Sequence, residues 1–249
     1  MSDDISDILK NWKYDPDNTI RIITADDGRK IMQVRQPLGL EQYELDGRPD
    51  GKRPYGKETV LEEMLEKKST FEQKHPEGEG FVLSKEDLQL LQNEGVIIYY
   101  RYLHLFQIGD YARTIRDTDH NLKLCHLVDN HAEDREEANA ILQYQPYILR
   151  VNAIARAMVS LQEELNAAAR EVLENAIAKI KEMPEIDTPA FQFEKIRSLN
   201  YLRVALKQVL EKKEDPVEQL KRELKEAIDA EEYERAALIR DQLQEFEEE

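Results

Sequence analysis

A single cysteine, Cys125, in 249 residues leaves the chain unable to close an internal disulfide or to supply a cysteine-rich zinc site, which fits a reducing compartment. No run of 18 or more apolar residues occurs, so no segment reads as a membrane-spanning helix. The N-terminus opens Met1-Ser2-Asp3-Asp4, acidic and polar where a secretory leader is basic and then apolar, and the expectation is a cytoplasmic protein that stays where it is made. Positive charge is scarce: 35 Lys and Arg against 52 Asp and Glu give a formal net charge of −17. Phosphate backbones and anionic membranes are bound through cationic surfaces that release counterions, so neither a direct nucleic-acid partner nor a membrane partner is expected. Glycine and proline are also few, nine of each, and with 41% hydrophobic and 35% charged residues this is the composition of a helix-rich globular chain.

The signatures of common chemistries are missing as well. Cys125 beside His126 lacks any nucleophile-elbow context, and no Ser-His-Asp arrangement can be assembled. His104, His120, His126 and His131 fall near Asp117, Asp119 and Cys125, but His120 to His126 is six residues and His126 to His131 five. A helical pair of metal ligands needs i, i+4, so these read as solvated helix histidines. Asp117-x-Asp119-x-Asn121 begins like a calcium loop, yet Leu122 stands where the loop needs glycine and Val128 where it needs glutamate. Arg48, Lys52 and Arg53 lie beside Gly47 and Gly51 without a phosphate-loop sequence, and read as a surface turn. Arg113, Arg116, Asp117 and Asp119 read as one polar helix face. No catalytic, cofactor-binding or metal-ligating residue is assigned, no cofactor is expected, and an enzyme concealed in the N-terminal region is the third-ranked reading.

What is present divides into three stretches. Residues 1–56 read as a small β-rich cap: Thr-Ile-Arg-Ile-Ile-Thr and Lys-Ile-Met-Gln-Val-Arg flank Asp27-Gly28, a turn signal that favours positive φ, and a third strand follows around Leu38 to Leu45. Residues 57–213 read as helical. Thr59 with Glu62 has the capping-box pattern for a helix fading at His75-Pro76, and Ser84 with Asp87 offers a second cap for a short helix ending near Gly95. Helices are expected over Val96–Ile108 and Tyr111–His131, joined at Gly109-Asp110. The glycine and following aromatic there resemble a tetratricopeptide-repeat turn, although no second copy follows and a generic helical hairpin is favoured. Further helices are expected over Arg135–Gln145 and, past a break at Pro146, over Tyr147–Met183. Val151, Ile154, Met158, Leu161, Leu165, Ala168 and Val172 alternate spacings of three and four along the latter, a coiled-coil-like seam. Its expected antiparallel partner carries Ile196, Leu199, Leu202, Leu206 and Val209, with Met158, Leu165, Leu202 and Leu206 at the interface.

Residues 214–249 read as a helical hairpin. Asp215-Pro216 supplies an N-cap and a first-turn proline, the first helix runs through Leu220, Leu224, Ala227 and Ile228, and the second returns through Tyr233, Ala236, Ala237, Ile239, Leu243 and Phe246. The stretch Tyr233-Glu234-Arg235-Ala236-Ala237-Leu238-Ile239-Arg240-Asp241 resembles the UVR motif of the excision-repair subunits UvrB and UvrC, as carried at the C-terminus of some bacterial proteins, and similar motifs occur in bacterial regulators of protein quality control. The resemblance implies a hairpin that pairs with another such hairpin, in its own kind or in a different protein, or docks on a partner, and implies no catalysis. The residues it marks for that contact are Tyr233, Arg235, Ala236, Ile239 and Arg240. The segment holds 14 acidic and 5 basic side chains, which favours a solvated, protruding element. The expected fold is thus mainly α, with a β-rich N-terminal cap, long antiparallel helices and a C-terminal helical hairpin. The expected function is that of a non-catalytic adaptor or regulator, with an accessory factor of excision repair as the alternative.

Overall fold

The computed structural model describes residues 4–76, 80–211, 216–229 and 232–247. The expected Asp215 cap, the centre of the 76–80 loop, the middle of the last hairpin turn and the Phe246 side chain lie outside the described residues. A short helix α1 (Ser6–Asn11), not foreseen, precedes a three-stranded antiparallel meander of β1 (Ile20–Thr24), β2 (Lys30–Gln36) and β3 (Gly39–Glu44). Gly28 at φ 86° makes the first turn, and the pairing sets Ile22 opposite Met32 and Met32 opposite Tyr43. Both faces of β2 are covered. Met32 and Val34 pack with Leu45 and Leu105, while on the other face Gln33 accepts from Arg21 Nε and Nη2 at 2.9 and 2.7 Å and donates to Gln42 at 2.9 Å.

Helix α2 (Val60–Lys74) starts as expected at Thr59, whose hydroxyl accepts the Glu62 N–H at 3.1 Å; the Glu62 carboxylate takes the Glu58 N–H, so only half of the box forms. The full reciprocal box forms at Ser84 and Asp87 and opens α3 (Lys85–Gln107). This helix does not stop at Gly95, as expected, but runs straight through it. An interior glycine costs a helix only about 0.5–1 kcal/mol relative to alanine, less than the packing of the apolar residues on either side supplies. Helix α4 (Tyr111–His131) follows the bend at Gly109, φ 75°, and packs antiparallel on α3.

Helices α5 (Arg135–Leu142), α6 (Gln145–Gln162), α7 (Asn166–Glu182) and α8 (Pro189–Glu211) complete the central part. Pro146 does not break a helix; it lies in the first turn of α6, where its missing N–H has no partner to lose. The long helix expected over Tyr147–Met183 is two. Glu164 adopts φ 62°, the Leu165 N–H donates back to Ser160 O at 2.8 Å, and α7 folds onto α6. The seam read from Val151 to Val172 is therefore cut, and Leu165 stands 51% exposed at the corner. What drives the fold-back is alanine: Ala153, Ala157, Ala169 and Ala176 are buried together with Leu173, Ile177 and Ile180, small enough to let the two backbones approach closely. Helix α8 joins them through Leu202 and Val209, with Leu199 and Leu206 half-buried, whereas Ile196 is exposed. No helix among the described residues is long and apolar enough to cross a membrane.

The end of the sheet is tied to the helices by two guanidiniums, of which Arg101 makes the buried centre. Arg101 donates from Nε and Nη2 to the two oxygens of Asp117 at 2.6 and 2.8 Å, and from Nη1 to the carbonyls of Glu44 and Gly47, both at 2.8 Å. Arg116 adds Nε to Asp117 Oδ1 at 3.0 Å and Nη2 to Leu45 O at 2.6 Å. Asp117, read from sequence as part of a polar helix face, is thus buried, because two arginines and not water satisfy it. Removing one member of a buried pair strands the other, a loss of about 3–5 kcal/mol. Asp117→Ala is expected to lower stability by that amount in denaturant titration, while Leu165→Ala at the exposed corner stays within about 0.5 kcal/mol of wild type.

Candidate functional site

The C-terminal hairpin consists of α9 (Pro216–Asp229) and α10 (Tyr233–Glu247). Pro216 occupies the first position of α9, the place expected for a residue without an N–H. Its interior is Ala227, Ala236 and Ile239, with Leu220 and Leu224 half-buried at the edge and Leu243 buried further along. The alanines meet where the chain reverses, and Glu232 N–H donates to Ala227 O at 2.8 Å to close the turn. These apolar residues form a cluster of their own, apart from the sheet and helix cores.

Of the five residues that the sequence marks for partner contact, the structure divides the set. Ala236 and Ile239 face α9 inside the hairpin. Tyr233 is 68% exposed at the start of α10, and Arg235 and Arg240 are exposed on the same helix. Arg235 pairs with Glu232 at 3.0 Å and Arg240 with Asp241 at 3.1 Å. Exposed pairs of this kind contribute about 0–1 kcal/mol, so either guanidinium can change carboxylate partners at small cost. Two further apolar side chains stand out in solvent, Leu238 at 68% and Ile228 on the last turn of α9. Sequence reasoning did not select them, although Leu238 falls between the 236, 239, 243 positions that define the inner seam, and so had to point outward.

The other candidates are engaged structurally. Asp117, Asp119 and Asn121 do not converge: Asp117 faces Arg101, Asp119 accepts from Arg156 at 2.7 Å and from Asn152 at 2.8 Å, and Asn121 donates to Gly95 O at 3.0 Å. No group of three or more potential ligands that could hold a metal occurs among the described residues. His104 and His120 are not solvated as expected, because helix packing turns them inward; His104 lies 3.8 Å from Glu41 and His120 3.3 Å from Glu94. Burial pushes the His104 pKa down despite Glu41, and pushes the Cys125 thiol up to about 12. Arg48 is no surface-turn residue either. It donates to Glu94 Oε2 at 2.8 Å and pairs with Asp50 at 3.0 Å.

Glu94 is the residue around which these groups assemble. Wholly buried, it accepts the N–H groups of Val60 at 2.6 Å and Leu61 at 2.9 Å, capping α2 from a distance, as well as Arg48, and His120 Nε2 lies 3.3 Å away. Nothing in a lone glutamate on a helix face signals this, since the groups that hydrogen-bond to it lie 33 to 46 residues upstream and His120 lies on the next helix.

Comparison with known families shows that residues 214–249 match the UvrB/uvrC motif, UVR. No curated protein and no solved structure matches the chain.

The carboxyl of Glu94 yields a pH dependence. Desolvation by itself raises its pKa, but the neighbouring His120 and the hydrogen bonds from the Val60 and Leu61 N–H groups together outweigh burial and hold it below the ordinary 4.5. A carboxyl with a lowered folded-state pKa stabilises fully above its unfolded value and loses that contribution as pH falls through the folded one. The melting temperature of the wild type is expected to drop as pH goes below about 4.5. Glu94→Gln is expected to melt lower at neutral pH and to show a flatter acid limb, read by circular dichroism across a pH series.

Proposed function

We propose that this chain is a non-catalytic adaptor or regulator of the cytoplasm that binds a partner protein through its C-terminal hairpin. The observation that carries the reading is the coincidence of the UVR match with a hairpin whose small-residue seam satisfies itself while Tyr233, Leu238 and Ile228 remain in solvent. Aromatic and arginine side chains supply most hot spots at protein interfaces, and here an exposed tyrosine is accompanied by two loosely paired arginines, Arg235 and Arg240. Ala236 and Ile239 support the contact by fixing how close the two helices lie and so where Tyr233 projects. In this reading residues 1–56, 57–213 and 214–249 are the functional divisions of the chain, with the last as the docking element. The segment's excess of acid steers it toward a partner with a basic face.

The motif's occurrence in UvrB and UvrC favours one second reading, an accessory factor that joins an excision-repair complex by hairpin pairing. The two are separated by the partner: direct binding of purified UvrB supports the repair reading, and capture of unrelated proteins without UvrB supports the adaptor.

Both readings share one test. Tyr233→Ala/Leu238→Ala removes only exposed surface, so the full-length variant is expected to keep the wild-type circular dichroism and melting temperature. Loss of a hot spot worth about 2 kcal/mol weakens binding roughly 30-fold. Partner affinity, or self-association in sedimentation velocity, is expected to fall by about that factor. Undiminished binding by the folded variant removes the hairpin from the interface.

A further inference from the structure

A second feature of the molecule lies away from the hairpin. Helices α3, α4, α5, α6 and α8 surround a half-open cavity of about 480 Å³. This is within the roughly 300–1,000 Å³ typical of small-molecule sites. Five tyrosines, Tyr99, Tyr100, Tyr102, Tyr144 and Tyr147, line its walls, and Leu124 and Cys125 contribute apolar surface. Tyr100 and Tyr144 are about half exposed at 48% and 49%, as expected of residues at a mouth.

Three observations indicate that this space is built and not a packing gap. First, Gly95 lines it from the middle of α3. A Cβ there would lie 3.6 Å from Leu124 and 3.8 Å from Asn121 Oδ1, ordinary contact distances, so helix packing does not require glycine at this point. The glycine weakens the helix and leaves the cavity floor open. Second, Asn121 is 4% exposed and lines the same floor. Its Nδ2 is committed to Gly95 O at 3.0 Å, which fixes the amide orientation and leaves buried Oδ1 without a hydrogen-bond partner among the described residues. Third, Glu194 on the α8 wall has a buried Oε2 equally without one. The nearby Arg150 Nη1 is 3.9 Å away, too far to hydrogen-bond, and its guanidinium is held between the rings of Tyr147 and Tyr201. A buried acceptor left unmade costs about 1–3 kcal/mol, and here two of them belong to residues on the wall of one aromatic cavity.

We infer that the cavity binds a small, uncharged aromatic molecule that carries N–H or O–H donors. The rings supply stacking surface, and Asn121 Oδ1 and Glu194 Oε2 supply acceptors that only a donor can satisfy. The ligand is uncharged because the two charged side chains on the wall, Glu194 and Arg197, pair with each other. Glu194 Oε1 lies 3.7 Å from Arg197, with Arg150 on its other side. Burial pushes the Tyr147 hydroxyl, like the Cys125 thiol, up to about 12, so both are neutral at physiological pH.

The test is calorimetric titration of the full chain with indole, with indene as its donor-free shape match, and with tryptamine and indole-3-acetate as cationic and anionic analogues. Indole is expected to bind at least about tenfold more tightly than indene, the effect of one hydrogen bond to a buried acceptor, and more tightly than either charged analogue. Gly95→Ala places a methyl group on the cavity floor beside Asn121 Oδ1. It is expected to hold or raise the melting temperature while weakening indole about tenfold or more, a combination that loss of folding cannot produce. The inference is overturned if indole binds no better than indene, if neither binds up to its solubility limit, if a charged analogue binds most tightly, or if Gly95→Ala leaves indole affinity unchanged.

Discussion

Arg101 is the constraint on which the architecture turns. A guanidinium offers five N–H donors in a fixed plane, and this one spends two on Asp117 of α4 and directs Nη1 at the carbonyls of Glu44 and Gly47, at and just beyond the end of the sheet. A lysine in its place carries a point charge and cannot span both sides at once. The meander of three short strands has too little apolar face to persist alone, and it is stable because Leu105 of α3 completes its core beneath the same guanidinium. The sheet is an extension of the α3–α4 pair, held by charge and packing together.

Glu94 performs the analogous task about two turns earlier on α3. Its carboxylate accepts two backbone N–H groups at the start of α2, where the helix dipole favours negative charge, and so joins the loop after β3, the beginning of α2 and His120 of α4 into one buried polar network. Between them, the two ionic centres orient the first half of the chain around α3. The second half is organised differently, by small residues. Alanines draw α6 and α7 together, and alanines again draw α9 and α10 together.

Much of the secondary structure was legible because its signals are local. The capping residues Thr59 and Ser84, the left-handed Gly28 and Gly109, and the motif around Tyr233 each act within a few positions of themselves. The corner at Glu164 was not legible, since no glycine or proline marks it and the heptad-like spacing continues across Leu165. The decision there is made by alanines that prefer each other's faces to a straight helix, a tertiary effect. The candidate site was half legible: the motif located the hairpin, but which of its residues look inward is settled by the seam of Ala227, Ala236 and Ile239. The roles of Arg48, Glu94, Arg101 and Asp117 were invisible for a simpler reason. A charge on an amphipathic helix reads as solvated unless its partner, tens of residues away, is known.

The reach of Arg101 also bears on how the chain is made. Its acceptors at Glu44 and Gly47 lie 57 and 54 residues upstream, and its counter-charge at Asp117 lies 16 residues downstream. Synthesis proceeds from the N-terminus, and segments that can fold do so as they emerge. The β-meander emerges before its anchor: the side chains that fasten it are translated only after α2 and most of α3, and the aspartate that neutralises the anchor comes later still. In vectorial folding these strands therefore wait, with apolar Met32 and Val34 uncovered, for the α3–α4 hairpin to arrive and fasten them.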